Sequence, residues 1–310
     1  MIDRRRFVGL TVAAGAGLGA SSLHVLRATG TTGDSRLYKI SLAQWSLHRM
    51  LREGKLDALA FPMFARRQFG IEAVEYVNVF FMDRAADRDY LGEMRTRAED
   101  ADVRSLLIMV DGEGRLGDPD AAARTESVER HLRWVEAAGF LGCHSIRVNA
   151  ASAGSRETQR DLAADGLRRL TELAAERSLN VIVENHGGLS SDGAWLAEVM
   201  RLVDHPRCGT LPDFGNFSLG NGQTYDRYLG VRELMPFAKA LSAKSFAFDE
   251  EGEETTIDFR RMMRIVVEAG YRDFVGIEFE GDGMSEVDGV QATKSLLERV
   301  RAELEADPAY

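Results

Sequence analysis

From Leu37 onward, short runs of apolar, β-forming residues alternate with longer stretches whose apolar positions recur every three or four residues. The short runs are YKISLAQW, IEAVEYVNVF, VRSLLIMV, HSIRVNA, LNVIVEN, CGTLPDF, SAKSFAF and FVGIEFE. Between them lie amphipathic segments such as RTESVERHLRWVEAAGF, TQRDLAADGLRRLTELAAERS, DGAWLAEVMRLV and DFRRMMRIVVEAG. In HLRWVEAAGF and MMRIVVEAGY a glycine, Gly139 or Gly270, is expected to stop the helix just before the next strand. Strand followed by helix, about eight times at a step of roughly 35 residues, predicts an α/β fold, the (β/α)8 barrel. It forms a single domain over residues 36–305, with 306–310 as a C-terminal tail. A doubly wound open sheet is the alternative, but it would carry a Gly-rich phosphate turn after its first strand, and QWSLHRM has none.

A barrel makes a demand on side-chain parity: alternate strand residues face the helices and are apolar, and the others face inward. In FVGIEFEG the outward set is Val275, Ile277 and Phe279, which leaves Glu278 and Glu280 inward. In LNVIVENH, Leu179, Val181 and Val183 face out, and Glu184 and His186 face in. In HSIRVNA, Ile146 and Val148 face out, leaving Arg147 and Asn149 inside. SAKSFAFD puts Ala243, Ser245 and Ala247 against helices and Lys244, Phe246 and Phe248 inside. Polar residues thus gather at the C-terminal ends of several strands, the face on which barrels of this kind build their sites.

Glu184, Asp213 and Glu278 end strands five, six and eight. Three carboxylates converging on one mouth repel one another unless a cation sits among them. Oxygen ligands suit Mn²⁺ or Mg²⁺ better than zinc. Such an ion polarises a carbonyl as a Lewis acid, and a neighbouring glutamate can then take the proton from the adjacent carbon. Two glutamates flanking a sugar can remove and return that proton on different faces, which is epimerisation; returning it to the neighbouring carbon is isomerisation.

ENHGG, LPDFGNF, AKSFAFDEEG and GIEFEG, in this order on strands five to eight, resemble the xylose-isomerase-like TIM barrels. The resemblance covers about residues 36–305. It implies a divalent metal held by Glu184, Asp213 and Glu278, with Glu184 and Glu278 as the acid/base pair and Asn216 touching substrate. It also implies a His on strand seven, where this chain offers Lys244 or Phe246. Two outcomes stay open at that point. The three carboxylates hold the metal with His186 or water completing the shell, or the Lys244 ammonium replaces it.

Further substrate-binding candidates are His186, Arg147, Lys244, Glu280 and Trp45; Arg147 could hold sugar hydroxyls or bridge carboxylates, and Trp45 could stack on a sugar or pack in the core. Glu75 ends an inward set on strand two only if the odd residues face in, and both parities fit equally. The loop EGDGMSE carries too much negative charge for a phosphate, so an unphosphorylated keto-sugar or polyol is expected.

Composition narrows the partners. The 310 residues carry a formal charge of −10, which opposes a nucleic-acid partner and with it an endonuclease of the same fold. Two cysteines cannot build a disulfide framework. The start, MIDRRRFVGLTVAAGAGLGASS, is basic, then weakly apolar and Gly/Ala-rich, and Arg4-Arg5-Arg6-Phe7 resembles a twin-arginine motif. Residues 1–35 are therefore expected to be an export signal and linker, delivering a periplasmic or extracellular protein with no membrane span in its mature form. The leading expectation is an exported sugar isomerase or epimerase. A lyase or hydratase on keto-sugars or 3-keto-glycosides uses the same acid/base pair. A non-catalytic sugar-binding barrel is the reading from another class. The sequence leaves the oligomeric state unread.

Overall fold

A computed structural model describes residues 36–310; the expected export signal and linker lie outside the described residues. Eight strands carry the fold: β1 Lys39–Ala43, β2 Ala73–Val77, β3 Arg104–Met109, β4 Ser145–Val148, β5 Asn180–Glu184, β6 Cys208–Leu211, β7 Leu241–Ser245 and β8 Phe274–Phe279. Neighbours run β6-β5-β4-β3-β2-β1-β8-β7, and every pair is parallel. The ring closes between β6 and β7 through the bridges Thr210–Ala238 and Asp213–Ser242. There Lys239 N–H donates to the Thr210 carbonyl and Ser242 N–H to that of Pro212, both at 3.0 Å. Phe214 N–H returns to Ser242 O at 3.1 Å. Gly209 makes this seam tight, since a Cβ on it would lie 2.5 Å from the Phe237 carbonyl oxygen. This is a single-domain TIM barrel.

Parity separates two cores. Leu42, Val74, Tyr76, Ile108, Ile146, Val181, Val183, Ala243, Val275 and Ile277 pack outward against the helices. Inside the ring a smaller group, Ala43, Val77, Leu107, Met109, Ile182, Leu211 and Ala240, forms a plug. Seven of the α-helices begin behind a capping side chain, in which Asp87, Asp120, Ser155, Asp192, Asp226, Asp258 or Ser285 accepts a first-turn N–H. Gly270, at φ +84°, follows the helix Phe259–Glu268 as the sequence leads one to expect. Gly139 does not stop its helix, which runs Ala121–Phe140; Gly142, at φ +76°, takes that place. The left-handed conformation is needed only where the chain reverses after the last turn.

Candidate functional site

Glu184 is the last residue of β5, Asp213 lies two residues beyond β6, and Glu278 is the penultimate residue of β8. All three are buried, with exposures of 0%, 0% and 4%. Each offers a carboxylate oxygen within 4.8 Å of the others. Inward parity at three strand ends thus becomes one acidic cluster inside the barrel mouth.

The chain's own donors fix each carboxylate. Asp213 Oδ1 accepts the N–H groups of Gly215 and Asn216, both at 2.7 Å. Asn216 then reaches back to donate from Nδ2 to Glu184 Oε1 at 2.8 Å. Ser242 Oγ, on β7, lies 2.7 Å from Asp213 Oδ2 and 2.8 Å from Glu278 Oε2. A hydroxyl has one hydrogen to give, so two full hydrogen bonds here place a proton on one of the two carboxyls. Lys244 Nζ donates to Glu278 Oε1 at 2.6 Å and to Glu280 Oε2 at 2.8 Å, and lies 3.9 Å from Asp213 Oδ2. On the other flank, Arg147 Nε stands 2.7 Å from Glu184 Oε2. The approach is off the N–H axis, so the pair is ionic and neither buried atom has a hydrogen-bond partner. Arg147 also pairs with Asp111 Oδ1 at 2.9 Å, which accepts from Asn149 Nδ2 at 2.7 Å.

These contacts split the acidities. Burial pushes Glu184 and Asp213 up to about 7, against the pull of Arg147 on the first and Lys244 on the second. Burial also acts on Glu278, but the Lys244 charge and hydrogen bond outweigh it and hold this carboxyl below its ordinary range. Lys244 resists the same burial and is raised well above the ordinary lysine value, chiefly by Glu278 and then Asp213. At neutral pH, Glu278 is therefore the ionised member, while Glu184 and Asp213 are the carboxyls that hold a proton more readily.

Seven of the nine residues singled out from the sequence meet in this network: Glu184, Asp213, Glu278, Arg147, Asn216, Lys244 and Glu280. Trp45 does not lie on a strand, because β1 ends at Ala43 and Trp45 falls in the tight turn Gln44–Leu47. It still reaches the mouth: its Nε1 donates to Glu280 Oε1, and its ring stacks on His48 at 4.9 Å. His186 is exposed on the loop after β5 and is not among the ligand atoms of the acidic cluster. Its pKa is lowered by partial desolvation and by the Arg147 charge. Strand seven ends at Ser245, so Lys244 is its inward residue; Phe246 lies beyond the strand, and Ala247 is exposed rather than packed on a helix. Glu75 does face inward, buried at 1%.

Sequence reasoning missed Ser242, Asp111 and Asn185. Ser242 shares the inward parity of Lys244, a signal that was available. Asn185 falls on the outward parity of LNVIVENH, but the strand has ended, and its side chain turns to the next loop. There Asn185 Oδ1 accepts Asp213 N–H at 2.8 Å, while Nδ2 donates to the carbonyls of Asp213 at 3.0 Å and Asn216 at 3.1 Å.

The folded chain is similar to a 3-keto-D-glucoside 4-epimerase from E. coli, with a TM-score of 0.59 and 16% identity over 86% of this chain and 99% of that one. It is also similar to a xylose isomerase-like TIM barrel protein from Mycobacterium smegmatis in complex with magnesium, with a TM-score of 0.62 and 17% identity over 86% and 97%. At these identities the likeness speaks for the fold. A sequence relative, the C-glycoside deglycosidase alpha subunit of Arthrobacter globiformis, is 39% identical over 49 residues, which is 16% of this chain and only 13% of that protein. The family model described as the xylose isomerase-like TIM barrel matches residues 65–303, and the chain belongs to that family.

Proposed function

We propose that this chain is a sugar isomerase or epimerase that abstracts the proton next to the carbonyl of an unphosphorylated keto-sugar or of a polyol already oxidised to its ketone. The observation that carries the reading is the pair Glu184 and Glu278, buried in one mouth with unequal acidities. Two carboxyls pushed apart in pKa are suited to opposite roles, an ionised base and a protonated acid. Glu278, ionised, takes the proton from the carbon beside the carbonyl; Glu184, whose acidity burial weakens, returns one. Returned to the same carbon from the other side, the proton gives the epimer; returned to the neighbouring carbon, it gives the isomer. In the ion-free site Arg147 and Lys244 hold the two glutamates in place, and their charges offset the negative charge that develops on the substrate oxygens.

The donor set fits a divalent cation. Glu184 Oε2 is buried with no hydrogen-bond donor, facing only the off-axis Arg147 guanidinium, and three carboxylate oxygens already lie within 4.8 Å of one another. Glu184, Asp213 and Glu278 would hold the ion, Mn²⁺ or Mg²⁺ by their all-oxygen chemistry. When bound, it supplies Lewis-acid polarisation of the substrate oxygens. Export by a twin-arginine-type signal belongs to the same reading and rests on the Arg4-Arg5-Arg6-Phe7 start.

The test is proton NMR in D₂O with a panel of keto-sugars and 3-keto-glycosides, with Mn²⁺ added or chelated. Deuterium entering the carbon beside the carbonyl, together with an epimer or isomer, supports the proposal. An unsaturated product would instead assign a lyase using the same pair. Binding without exchange would assign a sugar-binding barrel, the reading favoured by the replacement of the strand-seven ligand by Lys244.

A further inference from the structure

Lys244 holds an unusual position for a lysine. Its side chain is 2% exposed, and its ammonium lies against two carboxylates of the acidic cluster, 2.6 Å from Glu278 Oε1 and 3.9 Å from Asp213 Oδ2. The path of its stem is fixed by Gly215, where a Cβ would lie 2.6 Å from Lys244 Cγ. The tip is less constrained, because it already donates to a second acceptor, Glu280 Oε2 at 2.8 Å. Glu280 stands nearer solvent, its side chain 30% exposed, and is itself held by Trp45 Nε1. On the far side of the cluster, Glu184 Oε2 is fully buried, with no hydrogen-bond donor and the Arg147 guanidinium 2.7 Å away.

A divalent ion and an ammonium cannot both sit against Glu278 in a dry pocket without strong repulsion. A lysine, however, is a compact charge on a flexible stem and can change partners by rotating its last bonds. We propose that Lys244 and a divalent cation are alternative partners of Glu278 and Asp213, with Glu280 receiving the ammonium when the ion is bound. The proposal rests on the reading that the triad takes such an ion. On this account the ion-free protein remains folded and charge-paired, and the lysine sets how tightly the ion binds.

The experiment is a titration of the full chain with Mn²⁺, following free aqueous Mn²⁺ by electron paramagnetic resonance, which needs no substrate. Wild type is compared with Lys244→Met, which removes the charge but keeps the stem, and with Glu280→Gln, which removes the second acceptor. The expected result is that K244M binds Mn²⁺ about tenfold or more tightly than wild type, while E280Q binds it several-fold more weakly. Equal or weaker binding by K244M overturns the exchange while leaving the ion in place. No binding by wild type or K244M overturns the ion itself, and the exchange with it. K244M leaves a buried carboxylate unpaired, so a protein that folds only in Mn²⁺ also supports the proposal. Should K244M fail to fold under both conditions, E280Q decides: weaker binding supports the exchange, and unchanged binding refutes it.

Discussion

Glu75 gives the sharpest test of the barrel interior, because its environment is costly for a charge and its hydrogen bond goes to Ser41 rather than to the acidic cluster. It faces inward from β2, where Ser41 Oγ donates to Oε1 at 2.6 Å and Oε2 is buried without a partner. Burial, reinforced by the nearby charges of Glu278 and Glu184, raises its pKa from 4.5 to about 8. In the unfolded chain the carboxyl ionises near its ordinary value, so the folded state binds the extra proton. The stabilisation is complete below about pH 4.5 and is lost as pH rises to the folded pKa near 8. Over the whole window this amounts to about 5 kcal/mol, and between about pH 6 and about pH 8.5 to about 2.5 kcal/mol. Glu75→Gln removes this titration and keeps the shape. Urea unfolding of both proteins at those two pH values should show the wild type losing about 2.5 kcal/mol more than the variant. The difference between two pH values cancels the fixed cost of the new amide. Parallel pH profiles would refute the placement of Glu75 in a site that penalises its charge.

Other consequences follow from close approaches and buried bonds. Gly276→Ala would place a Cβ 2.5 Å from Glu75 Oε1 and should cost about 1–3 kcal/mol in urea unfolding, with less than additive loss when combined with Glu75→Ala. Gly166→Ala would set a Cβ 1.8 Å from the Leu116 carbonyl oxygen and should cost about 3 kcal/mol or more, whereas Gly92→Ala, in a helix with nothing within 4 Å, should stabilise by about 0.5–1 kcal/mol. Asn185→Ala leaves Asp213 N–H and two carbonyls without their side-chain partner and should cost about 2–3 kcal/mol, visible as a lower melting temperature.

Much of this arrangement was legible in the sequence because a barrel strand carries its orientation in its parity. Val181 and Val183 could only face the helices, which forced Glu184 inward, and Val275 with Ile277 did the same for Glu278. Strand two withheld its parity, since Ala73–Val77 is buried on both faces and its pairing with β3 slips between Val74 and Glu75. Strand seven was ambiguous because Ala243 and Ser245 are small enough for either side; the early end of the strand settles Lys244. Where a strand stops is decided by the pairing of its neighbours, and that is a tertiary fact. For the same reason Trp45 reads as a strand residue in the sequence, and Asn185 gives no sign of its role there. Asp111 lies just past β3, and only the fold brings it to Arg147. The helix stop at Gly142 rather than Gly139 reflects packing, since Gly139 stays within the helix beside Leu179.

The central claim is that Glu184 and Glu278 move a proton at a substrate carbon. The measurement that tests it most directly is deuterium exchange into a bound keto-sugar, compared among wild type, Glu184→Gln and Glu278→Gln, with sugar binding measured alongside. The account predicts exchange by the wild type and its loss, by about a hundredfold or more, in both variants that still bind the sugar. Exchange at the wild-type rate in Glu278→Gln, or a wild type that binds the sugar without exchanging it, would contradict the account.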